Sequence, residues 1–197
     1  MPDYRPHYLG IRQIAFSALP AQALGKMGQE EPARHFSRPD RRRLAWLREQ
    51  VGTVFKRILI VCTGNICRSP VAEYLFRQRM AGRDIEFASA GLGALVGSPM
   101  DATALQLLAE NGIDGSMHRA HQLTPSILRA ADLVLGMEKG HVAAMVRLAP
   151  EVHGKVYLFD KWLHGKDIPD PYRQQRKVFE HVHQIITQGI SSWESYL

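Results

Sequence analysis

The 197-residue sequence predicts an α/β fold, a three-layer sandwich in which a four-stranded parallel sheet is flanked by helices. Two observations carry this. From Arg57 onward, short apolar runs alternate with segments of helical spacing, and the first run opens onto a tight loop that leads directly into a helix start.

The elements follow in order. Ile58, Leu59, Ile60 and Val61 form a continuous β-branched apolar run, the pattern of a strand buried on both faces of a parallel sheet. After the loop, Ser69 reads as an N-cap and Pro70 as the first helical residue, with Val71, Ala72, Leu75 and Phe76 continuing at helical spacing. A strand from Ile85 to Gly91 comes next, then a helix from about Ala102 to Asn111 stopped by Gly112. Asp132 to Met137 reads as a third strand followed by a helix over Glu138 to Leu148. Gly154 to Phe159 is the fourth strand. A polar loop then leads into an amphipathic helix from about Gln174 to Trp193.

Residues 1–53 lack a sustained period and mix Pro, Gly, Gln and Arg. They read as a weakly ordered basic extension whose best-formed piece is a helix near Arg41 to Gln50. The catalytic domain is expected over 54–197. Val54 stands where initiation at a valine codon could occur, and on that expectation the extension is not made; N-terminal sequencing of the native protein decides it.

Composition is that of an ordinary globular protein, with 45% hydrophobic and 22% charged residues, which excludes collagenous and disordered classes for the chain as a whole. The net charge of +6 raises the question of a nucleic-acid partner. Residues 1–53 hold nine Lys/Arg against five Asp/Glu, so most of the excess sits outside the domain, and no nucleic-acid role is read from it. No apolar run approaches the roughly 20 residues that a membrane span needs. Two cysteines, Cys62 and Cys67, are too few for a disulfide framework, and a reducing cytoplasm is the expected compartment. The histidines and cysteines show no metal-ligand spacing, so no metal or other cofactor is implied.

The chemistry concentrates in the loop Cys62-Thr63-Gly64-Asn65-Ile66-Cys67-Arg68-Ser69. Cys62 ends a buried strand, where ligands bind in open α/β sheets. Gly64 and Asn65 accept positive φ most cheaply, and such a turn aims successive backbone N–H groups into one concavity beside the positive end of a helix. That is a cradle for an oxyanion such as phosphate. Inside it, donors and positive charge favour thiolate over thiol, and thiolate is the nucleophile. Arg68 adds a planar fork matched to two phosphate oxygens, and the Ser69 hydroxyl can donate to the departing sulfur.

The loop with its flanks (VCTGNICRSPVAEYLF), Ser89 to Ala104 (SAGLGALVGSPMDATA), ADLVLGMEKGH and IPDPYR together resemble the low-molecular-weight protein tyrosine phosphatases, specifically the bacterial branch associated with exopolysaccharide export. The resemblance covers essentially all of 54–197 and none of 1–53. It implies two steps through a cysteinyl-phosphate. Cys62 attacks phosphorus, Arg68 and the loop residues Thr63, Gly64, Asn65, Ile66, Cys67 and Ser69 hold the phosphoryl group, and Asp170 protonates the leaving phenolate and later activates water. By itself Asp170 reads as a turn former, and neighbouring Asp167 is an alternative for the acid. The resemblance further implies that Asn65 is held through Ser89 and His118, that Tyr172 forms an aromatic wall for the substrate ring, and that Leu95 faces it. Cys67 reads either as a small buried residue or as a reversible disulfide partner for Cys62 under oxidation.

The implied substrate is phosphotyrosine in a protein, a tyrosine autokinase that governs capsule or exopolysaccharide assembly. An arsenate reductase of the same fold passes a disulfide along two further cysteines, and none follows Cys67. A non-catalytic phosphate-binding module would lack the nucleophile or the acid. A nucleoside-triphosphatase loop is excluded because no G-x-x-x-x-G-K-[ST] occurs.

Overall fold

The computed structural model describes residues 55–197. Its strands are β1 (Arg57–Cys62), β2 (Glu86–Gly91), β3 (Leu133–Gly136) and β4 (Val156–Leu158). All pair in parallel in the order β2-β1-β3-β4, which places β1 at the centre beside β3. The helices are α1 (Arg68–Arg79), α2 (Ala102–Glu110), α3 (Pro125–Ala130), α4 (Lys139–Leu148) and α5 (Arg176–Trp193), with a 3₁₀ segment over Pro150–Lys155. The extension, with the basic helix expected near Arg41 to Gln50, and the Val54 boundary lie outside the described residues.

Alternation along β1 divides the core into two. Ile58, Ile60 and Cys62 face one side, where they join Phe76 of α1, Leu108 of α2 and Phe179, Val182 and Ile186 of α5. Leu59 and Val61 face the other, with Leu128 of α3 and Met145 of α4. Each such side chain taken fully out of water contributes about 1.5–3 kcal/mol before entropy is counted. Covering both faces of the sheet forces every β1 position except Arg57 to be apolar, which is why the strand is so plain in the sequence.

Two local expectations need correction. Ser69 does not cap α1: the helix begins at Arg68 with Cys67 in the cap position, and Pro70 sits third, still in the first turn where a missing N–H costs no bond. Ser69 instead places its hydroxyl beside Cys62 Sγ, as described below. The six-residue helix α3, capped by Thr124 with Pro125 following, is too short to show a period and escaped the sequence reading. Elsewhere the pattern is local. Asp101 caps α2 by accepting from Thr103 N, and Gly112 at φ 73° ends that turn.

Candidate active site

The carboxyl end of β1 opens into a cavity of about 350 Å³, lined by Cys62, Thr63, Gly64, Ile66, Cys67, Arg68, Leu95, Asp170 and Tyr172 among others. The loop between β1 and α1 is shaped from outside. The carbonyls of Cys62, Thr63 and Gly64 accept from the backbone N–H of Leu92, Gly93 and Leu95, at 3.0, 3.0 and 3.1 Å, and that of Ile66 accepts from Asp101 N at 2.8 Å. His118 Nε2 donates to the carbonyl of Asn65 at 2.7 Å. In a planar trans peptide the N–H points opposite to the carbonyl, so turning these carbonyls outward turns the following amides toward the cavity. Gly91, paired with Cys62 across the sheet, is what lets the strap come so close. A Cβ at that position would stand 2.6 Å from the carbonyl oxygen of Thr63.

Asn65 knots the loop. It is buried, and it takes the left-handed conformation at φ 55°; Gly64 does not, although both were candidates. Its Nδ2 donates to Ser69 Oγ at 2.9 Å and to Ser89 Oγ at 2.8 Å, while its Oδ1 accepts from His121 N at 2.8 Å. Ser69 Oγ, which accepts from Asn65, lies 2.9 Å from Cys62 Sγ, placed to donate its hydrogen to a thiolate there. Asn65 N also donates to that sulfur, at 3.3 Å. Ser89 in turn donates to buried Glu73 at 2.5 Å, and Arg77 pairs with the same carboxylate at 2.6 Å. Burial pushes the His118 imidazole below its ordinary value, against the opposing pull of the Asn65 carbonyl, so it serves as a neutral Nε2–H donor.

Arg68 is almost wholly buried, a guanidinium that would be costly without partners. Nη1 reaches Glu138 Oε1 and the carbonyl of Ile168, the latter at 2.9 Å, and Nη2 reaches Asp170 Oδ2 at 2.8 Å. Asp170 therefore lies in the cavity beside Cys62 and Arg68. Asp167 points its carboxylate elsewhere, accepting from Lys139 N at 2.7 Å at the start of α4. Ile168, buried between the two aspartates, anchors their loop by donating its N–H to the Met137 carbonyl at 2.9 Å. Tyr172 and Leu95 stand at the mouth, 39% and 45% exposed, free to cover the faces of an incoming ring.

Cys67 is a buried member of the loop, and burial, with Asp101 next in weight, pushes its thiol well above the usual range, so it remains a thiol. Glu138 and His141 were not foreseen. His141 Nε2 lies 3.0 Å from Thr63 Oγ1 and 3.5 Å from Glu138 Oε1, its imidazole held below the ordinary value by burial while Glu138 opposes. The available signal was positional: Glu138 follows the buried run of β3 as the loop follows β1, at the same edge of a parallel sheet. Glu73 and Arg173 were not foreseen either.

The family model for low molecular weight phosphotyrosine protein phosphatase matches residues 57–197. The low molecular weight protein-tyrosine-phosphatase Etp of Escherichia coli K12 is 45% identical over 143 residues, covering 73% of this chain and 95% of Etp. Wzb of Salmonella typhimurium, another low molecular weight protein-tyrosine-phosphatase, is 42% identical over 144 residues, with 73% and 95% covered. The structure of Vibrio vulnificus Wzb in complex with benzylphosphonate superposes with a TM-score of 0.70 at 42% identity, covering 73% of this chain and 99% of that one. With the fold, the cavity at the carboxyl end of β1 and the sequence match in agreement, the chain belongs to the low molecular weight phosphotyrosine protein phosphatase family.

Proposed function

We propose that the protein hydrolyses phosphotyrosine in a protein substrate, with Cys62 as nucleophile, Arg68 as the oxyanion clamp and Asp170 as general acid and base. The observation that carries this is the convergence on one cavity of a sulfur holding two hydrogen bonds, a buried guanidinium and a half-exposed carboxylate. The loop amides and Arg68 hold the three non-bridging oxygens, where charge accumulates during transfer. Cys62 sulfur attacks phosphorus as the bond to the phenolic oxygen breaks, and Asp170 gives that oxygen a proton. Asp170 then accepts a proton from water, which attacks the cysteinyl-phosphate and releases phosphate and the Cys62 thiolate, eased by the Ser69 hydroxyl. Thr63, Gly64, Ile66 and Cys67 complete the cradle, Asn65 with Ser89 and His118 stiffens it, and Tyr172 and Leu95 clasp the ring. Benzylphosphonate, held by the Vibrio relative, pairs an aromatic ring with a phosphonate and so has the shape this reading requires.

The likeness to Wzb and Etp, with the motifs of the exopolysaccharide-associated branch, supports a bacterial tyrosine autokinase controlling exopolysaccharide or capsule production as the substrate, met in the cytoplasm. Among the described residues no helix is long and apolar enough to cross a membrane. Cys67 is assigned a protective role: peroxide converts Cys62 to a sulfenic acid, and the Cys67 thiol condenses with it to a disulfide, releasing water. Recovery by added thiol after peroxide should then be lost in Cys67→Ala.

Turnover of an aryl phosphate and of a phosphotyrosine peptide by wild type and Cys62→Ser tests the main reading. Cys62→Ser is expected to fall by at least about 10⁴-fold, as when a nucleophile is removed. Near wild-type turnover by that variant contradicts it. Loss of exopolysaccharide control without any rise in kinase phosphotyrosine on deleting the gene would point to a different substrate.

A further inference from the structure

We propose that Arg173 is a specificity-determining residue that selects phosphotyrosines flanked by acidic residues, an inference that rests on the phosphatase reading above. Two cations line the cavity, Arg68 and Arg173. Arg68 is buried, with both amino groups occupied by Glu138, Asp170 and the Ile168 carbonyl. Arg173 is exposed, and among the described residues no carboxylate pairs with it. The aspartates of its own loop are committed elsewhere, Asp170 to Arg68 and Asp167 to Lys139 N.

The backbone makes Arg173 more than incidental surface charge. Among the described non-glycine residues only Asn65 and Arg173 have positive φ, at 55° and 61°. This is a conformation that L side chains avoid and that persists where surrounding structure imposes it, characteristically at functional sites. Asn65 uses it to build the cradle. The same conformation at Arg173 sets the guanidinium 5.1 Å from the centre of the Tyr172 ring, in cation–π range, and so keeps it at the mouth. A substrate ring clasped by Tyr172 and Leu95 leaves its peptide backbone at that mouth, with the residues on either side of the phosphotyrosine beside a permanent cation lacking a partner.

The test uses three phosphotyrosine peptides differing only in the residues flanking the phosphotyrosine: glutamates, glutamines or lysines. Each kcat/KM is divided by the same variant's value on a small aryl phosphate, which has no flanking residues. Wild type is expected to prefer glutamate over lysine by about two- to five-fold at low salt, the range for an exposed charge pair. The difference should sit in KM and fade as salt is raised. R173K should keep the preference, R173E should reverse it, and R173G, which accepts the same backbone conformation without the charge, should remove it. Equal normalised turnover of the three peptides by wild type, or a preference that survives in R173G, overturns the assignment. If wild type hydrolyses neither the peptides nor the aryl phosphate, the phosphatase reading fails first and takes this inference with it.

Discussion

Two loops border the cavity and are built on opposite terms. The loop over 62–69 is buried except at Thr63 and Gly64, each of its carbonyls from Cys62 to Cys67 is engaged by a neighbouring donor, and Asn65 ties it to α1, β2 and the His118–His121 segment. The loop over 167–173 is largely exposed and rests on a few points: Ile168 in the core, Asp167 on α4 and Asp170 on Arg68. The first must hold its amides in place while charge moves onto the phosphoryl oxygens, and preorganised dipoles act best when they need not reorganise. The second must exchange its contacts within a turnover. Asp170 rests on Arg68; on the mechanism we propose, an incoming phosphoryl group competes for the same guanidinium and leaves the carboxyl group to face the leaving oxygen. The contrast between the loops separates positioning from proton transfer.

Breaking the acid loop should cost rate and leave stability alone. Asp170→Asn is expected to lower kcat on phosphotyrosine by about 10²–10⁴-fold and on an activated aryl phosphate by far less, since a good leaving group needs little protonation. The unfolding midpoint should stay near wild type, because Glu138 and the Ile168 carbonyl still hold the buried Arg68 and the lost carboxylate is half-exposed. Steady-state kinetics on the two substrates, with a urea melt, check both halves.

Breaking the cradle should cost both. Asn65→Ala removes three side-chain hydrogen bonds and places a Cβ-bearing residue at positive φ without local support, an expected loss of about 2–4 kcal/mol together with a large fall in kcat. Asn65→Gly keeps the conformation and loses only the bonds, so it should recover about 1 kcal/mol of that loss by urea unfolding. A smaller effect is expected of Gly91→Ala. Its methyl group meets the Thr63 carbonyl and Ala94 backbone, which can only shift apart, at about 1–3 kcal/mol and with an altered inhibition constant for inorganic phosphate as competitive inhibitor.

The least of these effects concerns pH. His118 and His141 both support the cradle, and burial holds both imidazoles below their ordinary value. As pH falls below about 6.5, the unfolded chain takes up protons that the folded chain refuses. Their contribution to stability is thus complete above that pH and is lost as pH drops through the lower folded values. Thermal melts from neutral to mildly acid pH should show a falling Tm that His118→Gln flattens in part.

The sheet was readable from sequence because β1 and β3 are covered on both faces, leaving continuous apolar runs with no competing explanation. The nucleophilic loop was readable because its parts are contiguous from Cys62 to Ser69. What lay beyond reach is what the fold brings from a distance. Glu138 and His141 come from the start of α4, Leu92 to Leu95 act through backbone N–H groups that carry no residue signature, and Arg173 stands out among loop arginines by its φ. The misassigned cap at Ser69 follows from the same cause. A serine before a proline resembles a helix start, and only the fold brings Asn65 and Cys62 close enough to claim its hydroxyl.

The central claim, that the reaction passes through a phosphoryl group on Cys62, is tested most directly by acid quench during turnover of an aryl phosphate, followed by mass spectrometry with fragmentation of the peptide spanning Ile58 to Arg68. The account predicts one phosphoryl group, localised to the Cys62 sulfur. A phosphoryl group localised to any other side chain would contradict it.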